Sequence, residues 1–151
     1  MINVVVIPVD LEHPLRRVEL DPYDFAAYQG LTGGNMQAHE LRKPAMTLYS
    51  NGVSVTPLNI RATLLAWVHN RELAYKTMIA GQAILTGNDE GRDADVPDEI
   101  MKLIFKSQKY KVEVNGKGDG ITYEELPFAY AAAVRDTTDP EPEGEVRVSA
   151  V

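Results

Sequence analysis

The opening stretch "INVVVIPVD" constrains the fold more than any other part of the chain. It is a β-branched run interrupted only by Asn3 and stopped by Pro8. It is far shorter than the roughly 20 apolar residues that cross a bilayer. Its length and β-branching predict a strand buried on both faces, and therefore a central one. "LRRVEL" follows the turn-prone "DLEHP" and predicts a second strand beside it.

Further along, "DPYDFAAYQGL" predicts a helix in which Asp21 caps free N–H groups, Pro22 takes the first helical position and Asp24 complements the helix dipole. Phe25, Tyr28 and Leu31 recur at helical spacing and are expected to face the core. Gly33 and Gly34 supply the positive φ that ends it. "NMQAHELR" and "AMTLYSNGVSV" read as strands, the second interrupted by the turn signal "NG".

"TPLNIRATLLAWVHN" predicts the next helix, with Thr56 or Asn59 as its cap and Pro57 fixing its entry. Ile60, Leu64, Trp67 and Val68 form an apolar stripe expected to be core, while Asn59, Ala62, Thr63 and Ala66 form a small or polar face. "MIAGQAILTG" predicts a strand, "NDEGRDAD" an acidic turn, and "VPDEIMKLIF" a short helix with Ile100, Leu103 and Ile104 inward. "YKVEV" alternates as a half-buried strand, "NGKGDG" is a turn, and "FAYAAAVRD" is a helix starting near Pro127.

The class expected is α+β: one compact domain over residues 1–135, with a mixed or antiparallel sheet packed by about three to four helices. Residues 136–151 form an acidic Pro/Glu linker and a short terminal strand or tail.

With no cysteine, thiol redox chemistry, thiolate zinc sites and cysteine nucleophiles are all excluded. The formal charge of −7 argues against direct nucleic-acid or membrane binding, which need clustered Lys and Arg. A cytosolic protein of the host cell is expected. Asp89, Glu90, Asp93, Asp95, Asp98 and Glu99 crowd one segment, and a second acidic run spans Asp136 to Glu145. Lys102, Lys106, Lys109, Lys111 and Lys117 lie between them, so the field is mixed.

Motifs for particular chemistry fail on inspection. "NGKGDGITYEEL" has an EF-hand outline, but Lys117 stands at a ligand position and Leu126 where a bidentate Glu belongs. "HELRK" has Lys43 where a zinc protease needs its second His, and no G-x-S-x-G elbow occurs. His13, His39 and His69 share no metal-ligand spacing. No catalytic residue, metal site or cofactor is assigned.

"VVVIPVD", "ELDPYDFAAYQGLTGGNMQAHEL", "TPLNIRAT", "MIAGQAILTG" and "DVPDEIMKLI" occur in an order that resembles a family of small phage and mobile-element proteins known only as a domain of unknown function. The resemblance covers residues 2–105 and implies one α+β domain with a strand pair, a helix closed by a Gly-Gly turn, a "PLN" turn and an "IAG" strand. The matching positions are Gly33, Gly34, Pro57, Leu58, Asn59, Arg61, Ala62, Ile79, Ala80, Gly81 and Gly87, with Ile60 a departure between the Asn and the Arg. The family carries no assigned activity.

The expected ligand site is Asn59, Arg61 and Thr63 donating to a small anionic or nucleotide-like ligand near Gly33 and Gly34. The expected partner surface is the acidic segment from Asp89 to Glu99. The resemblance and the two acidic segments point to a non-catalytic phage accessory protein that binds and neutralises a host defence or regulatory protein. The alternative is a binder that sequesters a small molecule or nucleotide signal, built from homo-oligomers, and the third reading is an enzyme on a small nucleotide or nucleic-acid substrate.

Overall fold

The β-branched run forms strand β1 (Ile2–Ile7), and Val4, Val5, Val6 and Ile7 are fully buried, as a strand covered on both faces requires. In the computed structural model, residues 1–53, 57–135 and 145–151 are described. The chain continues through β2 (Arg16–Leu20), α1 (Phe25–Thr32), β3 (Met36–Arg42), β4 (Ala45–Asn51), α2 (Ile60–His69), β5 (Ala83–Asp89) and β6 (Arg92–Ala94). It then forms α3 (Asp98–Phe105), β7 (Tyr110–Val114), β8 (Lys117–Gly118), α4 (Leu126–Arg135) and β9 (Val146–Ala150).

Two sheets result, both antiparallel, which decides between the mixed and antiparallel alternatives. The larger runs β2-β1-β5-β4-β3, with β6 paired to the far end of β5; the smaller runs β8-β7-β9. On one face of the large sheet, α1 brings Tyr28 onto Val4, Leu20 and Ile84. The other face carries Val5, Ile7, Leu48 and Leu85 in a larger core with α2, α3 and α4. Val112 of β7 and Val148 of β9 join that same core, so the small sheet is fastened to the large one through α4. The expected terminal strand is β9; the linker residues 136–144 lie outside the described residues.

Local chemistry corrects several expectations. The first helix begins one turn later than "DPYD" suggests. Asp24 is its N-cap, accepting from Ala27 N at 3.1 Å, while Asp21 accepts from Tyr23 N and closes a turn that holds Pro22 outside the helix. Phe25, at the first helical position, is consequently exposed, Leu31 is half-buried, and Tyr28 is the buried member of the expected trio. Gly33 ends the helix at φ 86°, as expected. In α3, Ile100 and Leu103 point inward and Ile104 is half-buried.

The largest correction is the orientation of α2. Its buried face is Ala62, Thr63, Leu65, Ala66, Val68 and His69. Of the apolar stripe, only Val68 is buried; Leu64 and Trp67 are half-buried and Ile60 is 47% exposed. The cause is the residue that starts the helix. Asn59 has no exposed surface, and its Nδ2 donates to Ile7 O and Gly81 O, both at 2.9 Å, while Oδ1 accepts from Ala62 N at 3.1 Å. Its backbone N–H donates to Ile79 O at 2.8 Å. A helix tethered this way turns Ala62, Leu65 and Ala66 into the core it shares with the sheet and with α4.

The "PLN" and "IAG" segments are two halves of one clip. Gly81 N donates to Pro57 O at 2.9 Å and Leu58 bridges Ala80, so residues 79–81 form an isolated bridge before the strand rather than part of it. Gly81 sits at φ 75°, a conformation favouring glycine. Thr56, the other candidate cap, lies outside the described residues.

Replacing Asn59 by Ala removes a cap and strands two buried carbonyls, an expected loss of about 3 kcal/mol. Asn59→Asp keeps the capping acceptor but no donor, and should destabilise at least as much in urea unfolding. An aspartate variant close to wild type would show that the two carbonyl bonds contribute little.

Candidate functional site

Groups with catalytic potential are mostly tied up inside the fold. His69 is buried at the end of α2, between the β3–β4 turn and α4. Its Nδ1 lies 2.9 Å from Lys43 O, which can only accept, so Nδ1 carries the proton and Nε2 accepts from the Tyr130 hydroxyl at 2.7 Å. Burial pushes the His69 pKa down, partly offset by the Lys43 carbonyl, and burial pushes the Tyr130 pKa up. His39 Nε2 and Ser50 Oγ lie 3.3 Å apart in the sheet, both buried; burial alone lowers the His39 pKa, with no charged group contributing. A serine nucleophile needs its base oriented and the site open, and this pair lacks the charged orienter. Among the described residues no three His, Asp or Glu side chains converge as metal ligands.

The residues expected to hold a ligand separate into different roles. Asn59 uses its whole amide within the fold. Thr63 is buried, donating from Oγ1 to Asn59 O at 2.7 Å and accepting from Ile79 N at 3.0 Å. Gly33 and Gly34 pack against the Asn51 side chain, which also approaches Gly81. They meet Asn59 only through that glycine. Arg61 points elsewhere, its Nη2 donating to Pro8 O at 2.8 Å and Asp10 O at 2.9 Å in the β1–β2 connection.

The acidic segment also divides. The Asp93 carboxylate accepts from the Tyr49 hydroxyl at 2.8 and 2.9 Å and from Thr86 Oγ1 at 3.3 Å. Burial, with that carboxylate, raises the Tyr49 pKa. Asp95 accepts from Asn3 N at 2.7 Å, anchoring β1, and Asp98 pairs with Lys102 at 2.9 Å within α3. Asp89 and Glu90 lie exposed in the β5–β6 turn, and Glu99 is exposed in the first turn of α3.

What remains open is a groove. Pro14 and Leu15 from the β1–β2 connection, Leu64 and Leu65 from α2, Ile104 and Phe105 from α3, and Leu126, Pro127 and Tyr130 from α4 enclose about 290 Å³. Arg61 is the only charged residue on this wall among the described residues. The volume is at the lower end of small-molecule sites, which begin near 300 Å³. The groove exists because α2 buries Ala62, Leu65 and Ala66 in the core and leaves Leu64 half-exposed. Tyr130 offers its ring, its hydroxyl being held by His69.

Sequence reasoning reached Arg61 but missed the walls. The available signal was a pair of Pro-apolar steps, Pro14-Leu15 and Leu126-Pro127, flanking a helix with one apolar stripe too many. No protein-family model, curated protein or solved structure matches the chain.

His69 is held neutral, so the unfolded chain binds the extra proton below the ordinary histidine value of about 6.5. Stability is therefore expected to fall as pH drops from about 7 to 5, by up to about 1.4 kcal/mol per pH unit for each such histidine. His69→Gln should flatten that slope, with His39 supplying what remains. An unchanged slope in thermal unfolding at matched pH values would refute a neutral buried His69.

Proposed function

We propose that the protein is a non-catalytic binding protein that takes a small, largely apolar ligand into the groove between α2, α3 and α4. The observation that supports this reading is the groove itself: an open cleft whose walls come from four separate elements and are apolar except at Arg61. Such a concave apolar site with few polar groups is the usual form of a small-ligand pocket. The neighbouring polar groups support binding over catalysis, since His69, Tyr130 and Thr63 are all engaged in internal hydrogen bonds. A nucleotide-like ligand fits less well, because Asn59 and Thr63 have no donor facing a phosphate.

Capture of a basic host defence or regulatory protein is the second reading. Its support is the exposed Asp89, Glu90, Asp95, Asp98 and Glu99, of which Asp95 also accepts from Asn3 N and Asp98 pairs with Lys102, while half-buried Asp93 is held by Tyr49. Such capture would weaken with added salt. No helix among the described residues is long and apolar enough to cross a membrane. Service to a phage or mobile element in the host cytosol belongs to the proposal, on the strength of the resemblance over residues 2–105.

The uncharged dye N-phenylnaphthylamine, whose fluorescence rises in apolar surroundings, should bind one per chain. Leu64→Gln should weaken it about tenfold, or about 1.4 kcal/mol, with little loss of fold because Leu64 is only half-buried. Equal binding by the variant, or none by the wild type, would remove the groove as the functional site.

A further inference from the structure

We propose that the groove is selective for an amphipathic monocarboxylate, its apolar body between α2, α3 and α4 and its carboxylate on Arg61. This rests on the groove being the binding site, and adds the charge and size of what binds there.

Arg61 is an unusual wall residue. Two hydrogen bonds from Nη2 to Pro8 O and Asp10 O hold the guanidinium against the β1–β2 connection that also carries Pro14 and Leu15. Among the described residues its buried Nε has no acceptor and no carboxylate lies within ion-pair distance of it. Burial makes the group less willing to hold its charge, and the Asp10 carboxylate offsets only part of that. The fold thus keeps a partly desolvated cation, fixed in orientation, at the edge of an apolar cleft, without an anion to neutralise it. Unpaired charge in such surroundings is unfavourable, and a carboxylate engaging the guanidinium gains a charge-assisted bond in a setting where water competes poorly.

The rest of the wall narrows the class. One cation balances one negative charge, and among the described residues no second basic residue lines the groove. Nucleoside diphosphates and dicarboxylates would leave charge unmatched against Leu64, Ile104 and Leu126. At about 290 Å³ the open groove is of small-molecule size. An eight-carbon acid or a phenyl-substituted short acid has the matching form, one apolar body and one carboxylate.

The test compares octanoate with octanamide, which share shape and differ in charge, by displacement of N-phenylnaphthylamine at pH 7. Octanoate should bind at least about tenfold more tightly to the wild-type chain. Arg61→Met should bring octanoate down to the level of octanamide, and Leu64→Gln should weaken both together. Equal binding of the two compounds to the wild type overturns carboxylate selectivity while the groove reading stands, and this arm needs no variant to fold. Dye binding that neither compound displaces overturns the ligand class. Absence of dye binding overturns the groove reading beneath it.

Discussion

The buried Asn59 amide is the interaction on which the rest of this structure depends. It sits where the end of β1, the approach to β5 and the start of α2 meet, and it satisfies a backbone group from each. An apolar residue of the same volume would leave the Ile7 and Gly81 carbonyls without donors in the interior, each at a cost of about 1–3 kcal/mol. Aspartate would present oxygen to oxygen. Asparagine alone among the short side chains caps a helix and donates twice in the same place. The backbone clip between Asn59 and Ile79, and between Gly81 and Pro57, holds the side chain in register.

Fixing the start of α2 fixes its rotation, and rotation decides what is left for binding. Ala62, Thr63 and Ala66 are buried in the core; Leu64 and Arg61 are only half-buried. Leu64 then faces the helices that arrive later in the chain, α3 and α4, and the space between them is not filled by any side chain of the described residues. Arg61 is held at its edge by the loop after β1. The core and the groove are therefore two sides of one helix. His69, at the opposite end of α2, braces the arrangement by joining the β3–β4 turn to Tyr130 of α4.

Much of the fold was legible because it follows local rules. β1 announced itself by β-branching, the Gly33 terminus by its need for positive φ, and the β5–β6 turn by its acidic run, although that run also holds strand β6 (Arg92–Ala94). The helices of "VPDEIMKLIF" and "FAYAAAVRD" fell where dipole and proline rules put them, α3 following Pro97 without a side-chain cap. What failed was inference from helical periodicity alone. The stripe Ile60, Leu64, Trp67 has the stronger hydrophobic signal, but the Asn59 tether decides which face is buried, and periodicity does not weigh that. Gly87 entered the reading only through the resemblance. Its reason is spatial: any Cβ there would collide with the Asp95 carbonyl. The groove was the least legible part, since its walls come from segments separated by most of the chain, and only Arg61 was anticipated.

The central claim is that the outward wall of α2 and the facing sides of α3 and α4 form the site. The most direct measurement is methyl-resolved NMR during titration with octanoate. The methyl groups of Leu15, Leu64, Leu65, Ile104 and Leu126 should shift together and saturate at one equivalent, while those of Val4, Ile84 and Leu20 on the α1 side stay fixed. Shifts centred on the α1 face, or spread along Leu58, Ile60 and Met78 without saturation, would contradict it.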